Sequence, residues 1–370
     1  MPLAPIPRRP FCLPRVAVAL VLSVLTLLGA PWSAPPVWAD ETTAPTPATL
    51  EQAFTDVPPD HWAAGAITAL AETGVLEGTG GGRFEPERTV TRAEFLTALI
   101  RARGFSLEAQ AAYDPAFGGK GFGRGSTTFS DTPEGAWHRD YVTLAYRLGL
   151  TEGVGQDRFE PDLPVTREQA AAFAVRAAGW AGRVNEMSWS EARSTVRELF
   201  TDGGLVSEWA RAAVALAGRE GLVNEMPDGT FAPKRTCTRA EAAAIIQRLR
   251  TAVPPPATSI AVAPGGPEVP ASSRLVLTAT AYGPETGSGT PWAGLCFLGI
   301  PVREGIVAVD PSVIPLGTHL FIEGYGYAVA ADIGGAVKGN RVDLFLDLPH
   351  EELLRFGMRD LDVLVLEPVG

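Results

Sequence analysis

The chain has 370 residues, 46% of them hydrophobic, with 31 Lys and Arg against 42 Asp and Glu and a formal net charge of −11. That length is too great for one domain and suits about two to four. The acidic balance argues against nucleic acid or an anionic lipid surface as partner.

Arg8, Arg9 and Arg15 precede an apolar run over 16–30 and then Val37-Trp38-Ala39. This charged, apolar, small-residue order predicts a secretory signal over 1–39, cut between Ala39 and Asp40. The run is short of the roughly 20 apolar residues of a membrane span, so an uncleaved anchor is the lesser alternative and no span is expected after cleavage. Arg8-Arg9-Pro10-Phe11 leaves twin-arginine export open beside the general route. Cys12 would leave with the signal, while Cys237 and Cys296 are expected as buried free thiols. Neither the cysteines nor the four histidines have metal-ligand spacing, so no metal or cofactor is expected.

A threefold repetition follows. Phe54-Thr55-Asp56, Phe129-Ser130-Asp131 and Phe200-Thr201-Asp202 each open a unit, and Trp62, Trp137 and Trp209 follow. A helix-period apolar stripe comes next, stopped by Gly74, Gly149 or Gly221. Then come Arg83-Phe84-Glu85-Pro86, Arg158-Phe159-Glu160-Pro161 and Thr230-Phe231-Ala232-Pro233. Thr91-Arg92-Ala93-Glu94, Thr166-Arg167-Glu168-Gln169 and Thr238-Arg239-Ala240-Glu241 close the units. A threonine with Glu or Gln three residues on is a capping box, so each unit reads as helix-loop-helix.

Aromatic, tryptophan, Phe-x-Pro and Thr-Arg-Ala-Glu elements in this order resemble S-layer homology (SLH) domains, with repeats over 54–104, 129–179 and 200–250. The resemblance implies an all-α, pseudo-threefold unit whose grooves bind an anionic, often pyruvylated, secondary cell-wall polysaccharide. It implies further that Arg92, Arg167 and Arg239 contact the anion, although such arginines can equally face solvent or pair with a carboxylate. The tryptophans read as core, and His61 and His138 as structural. Residues 105–128, with the Gly118–Gly125 glycine run, read as a flexible insertion, and 180–199 as an extra short helix.

From 251 to 273 the sequence turns to Pro, Ala, Val and Gly, which predicts a semi-extended linker and a domain boundary. Beyond it the apolar period falls to two, predicting strands over 275–282, 306–309, 319–323, 327–333, 342–346 and 362–366, with a helix starting near Asp347-Leu348-Pro349. Six short strands and one helix suit a small closed barrel. Asp310, Asp332 and Asp343 lie among apolar strand residues, where a carboxylate is costly unless paired, bonded or protonated, so they suggest a site at the barrel mouth.

Thr280-Ala281-Tyr282, the Asp310-Pro311-x-x-Ile314-Pro315-Leu316-Gly317 loop, Gly324-Tyr325-Gly326, Asp332-x-Gly334-Gly335-Ala336-x-Lys338-Gly339-Asn340 and Arg341-x-Asp343 resemble the 3D, or three-aspartate, domain over 274–368. That family implies an all-β, six-stranded double-psi β-barrel akin to MltA-type lytic transglycosylases. The implied activity is cleavage of MurNAc–GlcNAc β-1,4 bonds in peptidoglycan with formation of a 1,6-anhydro ring. On that basis Asp343 is expected as acid/base with Asp332 next to it in priority, while Asp310 and Lys338 tune charge and Thr280 or Tyr282 hold sugar. Asp310 serving only to cap its turn is the plainer alternative. Ile333 stands where many relatives carry threonine, and Cys296-Phe297-Leu298-Gly299 replaces a more polar segment. The whole chain is therefore expected as a secreted enzyme of the cell wall and envelope surface, its barrel searching nearby glycan strands on the linker. A non-catalytic, glycan-binding tether is the alternative, and divalent-cation binding by the three acids is a lesser one.

Overall fold

The computed structural model describes residues 54–113, 129–261, 268–284 and 294–367. The expected signal and the glycine run of 118–125 lie outside them. No helix among the described residues is long and apolar enough to cross a membrane.

Each repeat supplies two helices: α1 (Ala64–Glu72) and α2 (Arg92–Ala102) in the first, α4 (Arg139–Arg147) and α5 (Arg167–Ala177) in the second, α8 (Arg211–Arg219) and α9 (Arg239–Ala252) in the third. α3 (Leu107–Tyr113) follows the first repeat, and α6 (Ala181–Glu186) and α7 (Trp189–Leu199) follow the second. All three expected capping boxes form, at Thr91 with Glu94, Thr166 with Gln169 and Thr238 with Glu241. Gly74, Gly149 and Gly221 end the first helices with φ of +67°, +69° and +69°, a left-handed turn that costs glycine nothing.

The two halves of each repeat are tied by its opening aspartate. Asp56 accepts the backbone N–H groups of Phe84 and Glu85, Asp131 those of Phe159 and Glu160, and Asp202 those of Phe231 and Ala232. Burial opposes charge at Asp56 and Asp131, but these N–H donors outweigh it and hold both carboxyls below the usual range. Phe84, Phe159 and Phe231 are thereby delivered into the core, each fully buried.

The repeats close on one another. Val165 donates its N–H to Val90 O, Cys237 to Val165 O and Val90 to Cys237 O, a ring of three backbone bonds with one residue from each repeat. Cys237 is buried and free, as is Cys296.

Six strands form a closed mixed barrel in the order β3-β7-β4-β6-β5-β8: β3 (Ser273–Tyr282), β4 (Ile306–Val309), β5 (His319–Ile322), β6 (Gly326–Asp332), β7 (Arg341–Phe345) and β8 (Arg359–Val365). The helix α10 (His350–Phe356) sits before β8. β3 runs parallel to β7 and β4 to β6, the other four pairings being antiparallel. Inward residues such as Ala279, Val307, Ala330, Val342 and Leu344 fill the barrel.

The connection to the barrel differs from the semi-extended linker expected. It carries a short antiparallel pair, β1 (Ser259–Ala261) with β2 (Glu268–Pro270), and buries Val253, Val269 and Ala271 in the helical core. The barrel is also seated on the repeats rather than swinging free. Outward-facing Phe321, Tyr327 and Leu364 belong to the same buried cluster as the helices, and Phe105 meets Tyr327 edge-on at 5.5 Å. Gln110 of α3 accepts the Tyr327 N–H at 2.7 Å, so the start of the supposed flexible insertion is a docking element. Strand residues that are apolar on both faces need such a cover, and that requirement decides the arrangement.

Candidate functional site

Strand register builds the acid site. Thr280 of β3 pairs with Asp343 of β7, Asp343 with Ala308 of β4, and Ala308 with Asp332 of β6. Directly paired residues share a face, and the alternate residues fill the barrel, so this row lies on the outer wall. Simple alternation after Ala330 would turn Asp332 inward. A bulge between Val307 and Ala308 skips Ala331 and brings Asp332 outward beside Ala308. Adjacent strands are about 4.8 Å apart, so the two aspartates flank Ala308 with Cα atoms on the order of 10 Å apart. Ala308 has no side chain tall enough to keep the carboxyl groups from one another.

Asp343 is partly buried, and Thr280 Oγ1 donates to its Oδ1 at 2.6 Å. Burial pushes the Asp343 carboxyl up; the Thr280 bond pulls against that, and the Asp332 charge adds to it. Asp332 Oδ1 accepts the backbone N–H groups of Phe297 and Ile333, both at 2.9 Å. Tyr282 packs edge-on to Phe345 at 5.4 Å, with its hydroxyl buried and without a partner among the described residues. Burial, then the negative charges of Asp332 and Asp343, pushes its pKa far above the ordinary phenol range, so the hydroxyl keeps its proton.

Asp310 and Lys338 stand apart from this row. Asp310 Oδ1 accepts the N–H and hydroxyl of Ser312, and its Oδ2 accepts the Gly339 N–H at 2.7 Å. Those bonds, the Gly339 N–H foremost, with the Lys338 charge adding to them, lower the Asp310 carboxyl to about 2. Asp310 is thus an anion that pins the 335–339 loop to the end of β4, and it is not among the charges acting on Asp343. No cluster of His, Cys, Asp and Glu suited to a metal ion occurs among the described residues.

Sequence reasoning did not single out the Phe297 N–H. The segment that departs from the family pattern supplies it, and a backbone donor leaves no mark in residue identity.

On the helical side, Arg92, Arg167 and Arg239 are turned inward rather than toward solvent. Each reaches the next repeat: Arg92 Nε donates to Phe159 O, Arg167 Nε to Phe231 O and Arg239 Nε to Phe84 O, closing a circle. Each guanidinium also lies over the same phenylalanine ring, at 4.7, 5.1 and 4.4 Å. Arg167 adds Glu241 at 2.9 Å and Asn224 O at 3.0 Å, and Arg239 adds Glu77 O at 2.7 Å. Arg92 keeps one buried Nη without a partner among the described residues.

Two grooves of about 430 and 450 Å³ open beside these arginines. One has Arg167, Arg235 and Arg248 with Trp62; the other has Arg239, Arg88 and Arg101 with Trp137. The tryptophans expected as core are 61%, 58% and 58% exposed at 62, 137 and 209. Trp62 and Trp137 each wall a groove lined mainly by other repeats, because the helix stripe that fills the core begins only after each tryptophan.

The SLH family model matches 53–96, 128–171 and 199–243, and the 3D model matches 305–367. The chain carries three SLH domains and a C-terminal 3D domain. An amylopullulanase of Thermoanaerobacterium thermosulfurigenes is 35% identical over 199 residues, 54% of this chain and 10% of that protein. The cell wall-binding protein YocH of Bacillus subtilis is 41% identical over 100 residues, 26% of this chain and 33% of its own length. The chain thus spans a third or less of these relatives. Escherichia coli MltA with bound chitohexaose shares 28% identity, with a TM-score of 0.18, over 20% of this chain and 28% of that one.

Proposed function

We propose that this SLH–3D chain is a wall-anchored peptidoglycan lytic transglycosylase, held at the cell surface by its repeats. The observation that carries the reading is the Thr280–Asp343–Ala308–Asp332 row, where burial and a second carboxylate favour a protonated Asp343.

In the step so proposed, the Asp343 carboxylic acid gives its proton to the bridging oxygen between MurNAc and GlcNAc as the C1–O bond breaks. The C6 hydroxyl oxygen then bonds to C1, and its proton passes to the Asp343 carboxylate, restoring the acid. No water is consumed, so the site needs no second carboxyl placed to activate one. Asp332, oriented by two backbone donors, faces the positive charge that develops at C1. The Tyr282 hydroxyl, without a partner among the described residues, is available to a sugar hydroxyl, and Asp310 with Lys338 shapes the adjoining loop.

The grooves suit an anionic secondary cell-wall polysaccharide, pyruvylated units being the expected anion. Arginines offer bidentate contacts and an exposed indole offers a face for a sugar ring. Arg92, Arg167 and Arg239 act there by building the groove wall, with Arg167 and Arg239 also lining it. The similarity to a protein named as cell wall-binding supports the location.

The test is incubation of the purified chain with peptidoglycan and mass spectrometry of the products. Release of 1,6-anhydro-muropeptides is expected. Intact peptidoglycan at every pH from about 4 to 8, with binding retained, would leave only the non-catalytic tether.

A further inference from the structure

The three repeats are internal copies, so a position where one departs from the other two marks what that copy does besides folding. At the end of the first helix the copies read Ala71-Glu72-Thr73-Gly74, Tyr146-Arg147-Leu148-Gly149 and Gly218-Arg219-Glu220-Gly221. A Cβ added at Gly149 would meet Val329 at 3.3 Å and Ile300 at 3.4 Å, whereas one at Gly74 or Gly221 would meet nothing within 4 Å. Among the described residues, Gly149 is the one of these three helix-ending glycines that lies against the barrel.

The contact is anchored by Arg303, whose side chain is 11% exposed. Its two Nη atoms each lie 3.2 Å from a Glu152 oxygen, Nη2 donates to Tyr146 O at 2.6 Å, and the guanidinium lies 3.6 Å from the centre of the Tyr146 ring. In the other copies the position of Glu152 is spent within the helical bundle: Glu77 pairs with Arg101 at 2.8 Å, and Asn224 O accepts from Arg167. A bidentate, stacked and largely buried guanidinium is a geometrically exacting contact, unlike an exposed ion pair.

Arg303 directly follows the 294–302 turn, whose tip reaches the acid row. Within that turn Cys296 N–H bonds Ile300 O at 2.9 Å, and from it Leu298 N–H bonds Ala331 O at 3.1 Å and Phe297 N–H bonds Asp332 Oδ1 at 2.9 Å, both on β6. The base of the turn is therefore fixed by the second repeat, and its tip holds Asp332 through the Phe297 N–H. We infer that the second SLH repeat is a working part of the barrel's acid site, with Arg303 and Glu152 as positioning residues for Asp332. The inference rests on the glycan-cleaving reading above and adds to it that anchor and enzyme are one rigid device.

The test uses the full chain, with Arg303→Ala and, should that variant fold poorly, Glu152→Gln. Amide hydrogen exchange at Phe297 is expected to quicken by about tenfold or more, while α5 amides keep their wild-type rates. The maximal rate of anhydro-muropeptide release should fall by about tenfold or more at an unchanged half-saturating peptidoglycan concentration, since displacement of an acid by an ångström costs that much. Arg303→Lys, which keeps the charge and a donor for Tyr146 O, should restore part of it. Wild-type exchange at Phe297 in both single variants overturns the inference, as does faster exchange with an unaltered maximal rate. A wild-type chain that releases no product overturns the glycan-cleaving reading instead, and the exchange rates alone then decide whether the second repeat holds the turn.

Discussion

Replacing Thr280 with valine removes one hydroxyl and keeps the volume, the branching and the strand. In the wild type Thr280 Oγ1 donates to Asp343 Oδ1 at 2.6 Å, a bond that favours the ionised carboxylate and so opposes the upward push of burial. Hydrogen bonds to a charged group are worth about 1.5–3 kcal/mol, and partial exposure of Asp343 argues for the lower end. At 1.36 kcal/mol for each pH unit, loss of about 1.5 kcal/mol raises the Asp343 pKa by roughly one unit. Because the acid must be protonated to cleave, the alkaline limb of the pH–rate profile for anhydro-muropeptide release should move upward by about one unit in Thr280→Val. The height of the profile can change for other reasons, so the position of the limb is the readout. A limb that stays in place, or moves to lower pH, would refute Asp343 as the group that donates the proton.

Asp343→Asn should abolish product release and, at the same time, stabilise the fold at neutral pH. Burial raises the folded-state pKa of Asp343 above its ordinary value, so its stabilising contribution is complete below about pH 4 and is lost as pH rises through the raised value. The variant's advantage in urea midpoint should therefore be present at pH 8 and vanish near pH 4. Asp202→Ala orphans the Phe231 and Ala232 N–H groups and should cost about 2–4 kcal/mol in urea unfolding, with loss of the third repeat's loop. Trp62→Ala and Trp137→Ala, taken from exposed groove walls, should change stability by less than about 1 kcal/mol yet weaken sedimentation with wall fragments; a cost of about 3–5 kcal/mol would return them to the core.

Much of the fold was legible because its signals are local. A capping box is written in four consecutive residues, and Thr91, Thr166 and Thr238 each fulfil it. The two-residue period marked all six barrel strands to within a few residues. The acid pair was legible only in part. Asp332 and Asp343 could be chosen as costly carboxylates among apolar neighbours, but that they share a row depends on the bulge that skips Ala331. Asp310 carries the same local signal, yet its Ser312 and Gly339 donors make it an anchor of the neighbouring loop. A docking role for the residues after the first repeat could not be read, since Gln110 finds its partner, Tyr327, on a distant strand.

The sequence by itself determined three helix-loop-helix repeats, a six-stranded barrel and the acids worth testing, because periodicity, caps and turn residues act over a few neighbours. Only tertiary structure decided which way Arg92, Arg167 and Arg239 turn, that Trp62 and Trp137 line grooves, and that the barrel rests on the second repeat. Those outcomes depend on which carbonyl, ring or cavity a distant segment brings within reach. A carbonyl and an aromatic face in the next repeat offset part of what burial costs a guanidinium, a cost that still lowers the Arg92 pKa to about 10.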